Sequence, residues 1–207
     1  MRPFHREEGV LIPLDRSDVD TDQIIPKQYL KRIGRTGYGE FLFDDWRRDG
    51  SRTPRPEFVF NQPAYASGTL MVAGRNFGCG SSREHAVWAL TDYGIRAVIA
   101  ESFGDIFRSN ALGSGLLPVT LPAHEVRALL DLAGEQPGIT ATVDLETQTV
   151  TCGDLRFAFK VDAFERRRLR EGLDDIGLTL QHEAEISAFE SRRPAWMPDL
   201  HRAVEAS

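Results

Sequence analysis

Cysteine is almost absent from this chain: Cys79 and Cys152 stand far apart among 207 residues. There is no Cys-x-x-Cys, and an iron–sulfur cluster normally takes three or four cysteine ligands, so the chain cannot hold one alone. A disulfide is not expected either, because a cytoplasmic setting keeps thiols reduced. The five histidines (5, 85, 124, 182 and 201) show no paired metal spacing, so each reads as a surface or capping residue and no metal site is expected. Long apolar runs are also missing. Nothing approaches the roughly 18 residues of a membrane span, and the first eight residues have no apolar signal-peptide core. Positive charge is not in excess: the net charge of −6 gives no electrostatic case for nucleic acid. The expectation is a cytoplasmic protein with neither a membrane nor a nucleic-acid partner. Its 41% apolar and 27% charged residues are ordinary for a soluble globular fold, and the length suffices for one full core.

What is present in unusual density is Gly74-Arg75-Asn76-Phe77-Gly78-Cys79-Gly80-Ser81-Ser82-Arg83-Glu84-His85. The apolar run Thr69–Ala73 leads in as a strand, and a helical pattern from Ala86 leads out. Glycines let a ligand approach the main chain closely. A helix starting here points unsatisfied N–H groups and partial positive charge at the turn, which makes it a candidate anion site. A plainer reading also fits: Ser81-x-x-Glu84 has the spacing of a capping box. A cap, however, needs one serine, not two with an arginine and flanking glycines. A phosphate-binding P-loop is disfavoured, since no lysine precedes Ser81.

Upstream, residues 9–14 read as an opening strand, and Asp15–Pro26 crowds four aspartates into one loop, as an Asx-rich turn does. Asp18-x-Asp20-x-Asp22 imitates the start of a calcium loop. The required glycine and glutamate are replaced by Gln23 and Tyr29, so calcium binding is rejected. From Lys27 to Gly50 come four basic residues (Lys27, Lys31, Arg32, Arg35), glycines and aromatics. They suit either a solvated face or a mobile loop, poorly ordered over 30–50, that closes on an anionic ligand.

A short strand is expected at Phe58–Phe60, another at Arg96–Ala100, a helix from Ser102 to Gly113, and a strand at Leu116–Leu121. Strand and helix alternate here as in parallel α/β connections. A helix with Pro122 in its first turn follows, then a hairpin through Glu146–Gln148 and a strand over Leu155–Phe159. Helices are expected over 164–171 and 174–189, and the last dozen residues, near Pro194 and Pro198, as a loose tail.

Gly80-Ser81-Ser82-Arg83-Glu84-His85-Ala86 resembles the swivelling domain of the aconitase family. The resemblance continues through Arg96–Phe103, Asn110 and Gly115–Pro118. Asp20–Leu30 and Phe41–Trp46 narrow it to the bacterial small subunits of 3-isopropylmalate dehydratase. It spans roughly residues 8 to 190, several motifs in the same order. The implied fold is α/β: a swivelling β/β/α domain over residues 1–165, with a C-terminal helical extension over 166–207 packed on it.

The implied activity is hydro-lyase chemistry interconverting 2- and 3-isopropylmalate through an enzyme-bound alkene, in leucine biosynthesis. The implied partner is a large subunit that forms a heterodimer with this chain and supplies the [4Fe–4S] cluster, whose iron acts as Lewis acid on the leaving hydroxyl. By resemblance Ser81 is the general base, Arg83 grips a substrate carboxylate and Ser82 hydrogen-bonds the ligand. Specificity falls to the loop after Pro26, with Leu30 as the apolar contact and Lys31 beside it. Within the same class, homoaconitate and methyl-substituted malates stay open as substrates, with the 27–35 loop deciding. Glu84 and His85 read as capping and supporting residues, Arg16 as a weaker candidate for substrate, and Cys79 has no catalytic part.

Overall fold

The computed structural model describes residues 1–32, 34 and 36–193. The chain divides into two compact units, Met1–Gly172 and Leu173–Ser207. The first opens with strand β1 (Arg6–Leu14), then the one-turn helix α1 (Thr21–Ile24), a 3-10 turn (Lys27–Lys31) and the short helix α2 (Asp44–Arg47). The centre alternates: β2 (Leu70–Ala73), α3 (Glu84–Tyr93), β3 (Ala97–Ala100), α4 (Asp105–Ser114), β4 (Leu117–Thr120) and α5 (Ala123–Glu135). The antiparallel strands β5 (Thr140–Asp144), β6 (Thr149–Cys152) and β7 (Leu155–Ala158) follow, and α6 (Ala163–Glu171) ends the unit. The second unit carries α7 (Asp175–Leu180) and α8 (Glu183–Glu190).

All seven strands form one sheet in the order β4-β3-β2-β1-β5-β6-β7. The first four are parallel, with Leu11 opposite Leu70, Leu70 opposite Ala97 and Ala97 opposite Leu117; β5 to β7 add antiparallel. The two-residue period of a strand sends alternate side chains to opposite faces. Ile12, Leu14, Met71, Ala73, Val98 and Ala100 face one core, shared with α3, α4 and the aromatics of residues 38–65. Leu11, Leu70, Val72, Ala97, Ile99, Leu117 and Val119 face a second core, closed by α5 and by Leu169 of α6. The continuous burial of β2 and β3 is what a parallel sheet covered on both faces requires.

Several expected elements are corrected. The strand at Phe58–Phe60 is a 3-10 turn, Val59–Asn61. Asn61 Nδ2 donates to the Arg47 and Arg55 carbonyls, folding the segment back on itself while Phe58 and Phe60 fill the aromatic core. The helix expected from Ser102 begins only at Asp105, because Ser102 and Gly104 are used to hold Phe77: Phe77 N–H donates to the Ser102 carbonyl (3.0 Å) and Gly104 N–H to the Phe77 carbonyl (2.9 Å). Pro122 is the N-cap of α5 rather than part of its first turn. The helix over 174–189 is two helices, parted at Gln181–His182, whose amides turn back to the Leu178 and Thr179 carbonyls.

Within the stretch 30–50, Tyr38, Leu42 and Phe43 are fully buried and Phe41 nearly so, which makes this part of it core, while Lys31, Arg32, Thr36 and Gly37 are exposed. Ile33 and Arg35 of that stretch, and the tail with Pro194 and Pro198, lie outside the described residues.

Candidate active site

Beyond the C-terminal ends of β1, β2 and β3 the chain keeps the order of the sheet for several more residues. Gly74 N–H donates to the Arg16 carbonyl (2.9 Å), Asp18 N–H to Arg75 (2.9 Å), Gly78 N–H to Val19 (2.7 Å) and Thr21 N–H to Cys79 (3.0 Å). The glycine-rich stretch thus runs between the aspartate loop on one side and residues 102–104 on the other. That confinement explains two glycines. A Cβ on Gly104 would stand 2.5 Å from the Gly78 carbonyl oxygen. Gly78 itself has φ +74°, and a Cβ there would lie 2.2 Å from Cγ of Phe107.

The turn delivers Ser81 and Ser82 exposed and Arg83 mostly covered, its side chain 16% accessible. Helix α3 begins at Glu84 with Arg83 as N-cap, and no side chain caps it. The capping box expected at Ser81 and Glu84 does not form. The box belongs to α1 instead: Gln23 N–H donates to Asp20 Oδ1 (2.8 Å) and Asp20 N–H to Gln23 Oε1 (3.0 Å). Among the described residues neither serine hydroxyl has a hydrogen-bond partner in the chain, so both are available to a ligand.

Ser81, Ser82 and Arg83 line a cleft of about 250 Å³ with Thr21, Gly78–Gly80 and Gly104–Phe107. Two ten-residue helices, α3 and α4, start at its edge, and neither has a side-chain cap at its N-terminus. Free first-turn amides and two helix dipoles favour negative charge in this space. Each helix has one acid in its first turn, Glu84 and Asp105. Arg83 pairs with Asp22 of α1 and supplies the cleft's guanidinium. Cys79 shares the lining, but burial, helped by Asp20 and Asp18, pushes its thiol pKa up. It therefore stays protonated and is a poor nucleophile.

Asp22 also borders a neighbouring hollow of about 260 Å³, with Pro26, Lys27, Gln28 and Asp45. Leu30 and Lys31 sit at the far end of the same 3-10 turn. Leu30 packs half-buried against the core and Lys31 is exposed; neither lines either hollow. Arg16 lies 4.2 Å over the ring of Trp46. His85 packs on Tyr38 and Trp88, with ring centroids 5.3 and 4.6 Å away, and Glu84 is exposed with no capping bond.

A larger hollow, about 590 Å³, lies at the opposite end of α3. Its polar groups are paired within the chain: Arg47 with Asn61, Arg48 with Asp44, and Asp92 with the Tyr38 amide. The smaller cleft is the one that offers hydroxyls free to react. Sequence reasoning missed Thr21 and Asp22, which the structure brings against Ser81 and Arg83. Their signals were the aspartate crowding around them and their place in the Asp20–Leu30 motif.

Among the described residues no three His, Cys, Asp or Glu side chains are placed to hold a metal ion. Cys152 is buried with its thiol toward the Thr140 carbonyl, and both cysteines are free. The residues present do not fit an iron–sulfur cluster.

The parallel half of the sheet gathers two serines and an arginine at two helix N-termini, and comparison with known families places the domain that carries them in the aconitase class. Residues 1–124 match the model of the aconitase C-terminal domain. Residues 127–163 match a model described as LeuD_N, and residues 175–203 that of the C-terminal domain of the 3-isopropylmalate dehydratase small subunit. Curated relatives agree along nearly the whole length. The chain is 56% identical to the 3-isopropylmalate dehydratase small subunit of Frankia alni and 53% identical to that of Rubrobacter xylanophilus, each over 96% of this chain and 98% of the relative. The corresponding protein of Acidothermus cellulolyticus is 55% identical over the same shares. A crystal structure of the 3-isopropylmalate dehydratase LeuD of Methanocaldococcus jannaschii superposes with a TM-score of 0.65 at 28% identity, covering 88% of this chain and 98% of that one. The chain belongs to the family of 3-isopropylmalate dehydratase small subunits.

Proposed function

We propose that this chain is the base-bearing half of a two-chain hydro-lyase that interconverts 2- and 3-isopropylmalate through the alkene 2-isopropylmaleate, a step of leucine biosynthesis. Family membership supports the reaction. One observation supports the site: two serine residues, whose hydroxyls have no partner among the described residues, line a cleft beside a guanidinium and two helix N-termini without side-chain caps.

Dehydration removes a hydroxyl from one carbon and a proton from its neighbour, and hydration in the opposite sense completes the exchange. The proton lies beside a carboxylate and is weakly acidic, so its acceptor must be strong. Ser81 fills that role as an alkoxide. Loop amides and the two helix N-termini stabilise its negative charge before the substrate arrives. Arg83 then turns its fork to a substrate carboxylate, which competes with Asp22 for the same donors. Ser82 donates to the substrate beside it. Leu30, half-buried at the end of the turn that borders the neighbouring hollow, is assigned as the apolar contact for the alkyl group, with the exposed Lys31 beside it; both lie outside the lining of the cleft in the free chain.

The chain's own residues do not fit a cluster, so the [4Fe–4S] group is assigned to the large subunit, with which this chain forms a heterodimer in the cytoplasm. Docking of the two chains is then part of assembling the site. Anaerobic reconstitution with the large subunit from the same organism, following alkene absorbance from isopropylmalate, tests this reading. Turnover should need both chains and vanish in Ser81→Ala while the complex still assembles. Full activity of Ser81→Ala would refute the assigned base. Turnover of another malate but not isopropylmalate would refute the assigned substrate.

A further inference from the structure

The base assigned to Ser81 has a positional problem. Its hydroxyl bonds to no other group among the described residues, and Gly80 before it has φ +86°, a conformation that glycine adopts and leaves at little cost. Proton abstraction tolerates little misplacement of the base, since a shift of about 1 Å can cost about a hundredfold in rate. Something other than the hydroxyl's own bonds has to hold the turn.

Thr21 is placed to do so. It is 2% exposed, one of the few buried polar residues, and its Oγ1 donates to the Ser81 carbonyl at 2.7 Å. Its backbone N–H donates to the Cys79 carbonyl at 3.0 Å, so one residue pins the turn on both sides of Gly80. Thr21 is itself fixed: it opens α1, locked by the Asp20–Gln23 capping box, and its carbonyl accepts from Ile25 N–H at 3.0 Å. A trans peptide is planar with C=O and N–H opposed. Holding the Ser81 carbonyl toward Thr21 therefore turns the Ser82 N–H away from α1.

We propose that Thr21 is a positioning residue for the Ser81 base: its buried hydroxyl, 60 residues away in sequence, sets the Ser81–Ser82 peptide plane and through it the direction of the oxygen that accepts the proton. The inference rests on the Ser81 reading above. Thr21 touches no reacting atom; it acts through the backbone of the residue that does.

The test compares Thr21→Val, which keeps shape and removes the hydroxyl, with Thr21→Ser, which keeps the hydroxyl. Both are assayed in the complex with the large subunit, alongside wild type and Ser81→Ala, with assembly followed by size-exclusion chromatography. Thr21→Val should lower kcat roughly tenfold or more while KM stays within about twofold, and Thr21→Ser should recover most of the loss. The isotope effect with substrate deuterated at the carbon that loses its proton should rise in Thr21→Val, because proton transfer has become slower. Unchanged kcat in Thr21→Val, or equal losses in the Val and Ser variants, would overturn the proposal while leaving Ser81 as base. Activity in Ser81→Ala, or none in wild type, would overturn both.

Discussion

Gly78 makes a quantitative claim about how tightly the turn is held. Its φ of +74° and the 2.2 Å approach of an added Cβ to Cγ of Phe107 are separate penalties for Gly78→Ala. The backbone term costs about 1–2 kcal/mol for a residue with a Cβ. The packing term depends on whether Phe107 can yield. Its ring is 3% exposed, meets Phe77 edge-on at 5.3 Å and stacks on Phe103 at 6.2 Å, so it has little room. Overpacking of that kind costs about 1–3 kcal/mol, and together the terms come to roughly 2–5 kcal/mol.

Gly153 supplies the control: it turns between β6 and β7 at φ +55°, and an added Cβ would meet only ordinary contacts, Leu132 Cδ2 at 3.5 Å and Ile139 Cδ1 at 3.9 Å. Gly153→Ala should therefore show the backbone term alone. Urea unfolding of the isolated subunit, followed by circular dichroism, measures both variants. Gly78→Ala should be the less stable by about 1–3 kcal/mol. If the two differ by less than about 0.5 kcal/mol, Phe107 yields freely and the argument for a rigid turn is wrong.

Arg83→Lys keeps the charge and loses the planar fork, so KM for isopropylmalate should rise roughly tenfold or more while the complex still forms; an unchanged KM would show that a point charge suffices. Asp144 accepts from the Thr147 amide at 2.8 Å, and this bond holds its carboxyl below the ordinary value of 3.8. The unfolded state then binds the proton more readily. The stabilisation is complete above pH 3.8 and is lost as pH falls through the lowered folded value, so the melting-temperature gap between wild type and Asp144→Ala should narrow on acidification. A gap independent of pH would show that the carboxylate's charge is irrelevant. Cys79, its thiol pKa raised by burial and then by Asp20 and Asp18, should be alkylated by iodoacetamide with a pH midpoint above that of free cysteine. A midpoint below it would mean that the field of the helix N-termini outweighs burial.

The sheet was legible because each parallel strand carries its own signal. Leu70–Ala73 and Ala97–Ala100 are continuous apolar runs too short for a buried helix and bounded by turn residues, which decides for strand. The same rule failed at Phe58–Phe60, where alternating aromatics serve an aromatic core instead of a sheet face. The candidate residues Ser81, Ser82 and Arg83 drew attention in the sequence as a density of unusual residues, and the structure brings them to one cleft. The capping reading of Ser81–Glu84 failed, and the box that does form, Asp20–Gln23, was read only as part of an Asx-rich turn; Cys79 pairs with Asp20 along the aspartate loop and α3 starts only at Glu84. Thr21 was illegible for a simpler reason: its partner lies 60 residues away, and local pattern carries no information about such a pairing.

The outcome at the two caps also bears on why the turn is built as it is. A serine that caps a helix commits its oxygen to a backbone amide and has little left for chemistry. Here α3 is left without a side-chain cap, the carbonyl of Ser81 is held by Thr21, and the fork of Arg83 is paired with Asp22. Both supports come from α1, a one-turn helix that also buries Ile24 in the core. The chain thus frees the two hydroxyls and fixes everything around them. Such an arrangement costs stability at each exposed amide unless an anion arrives to use it.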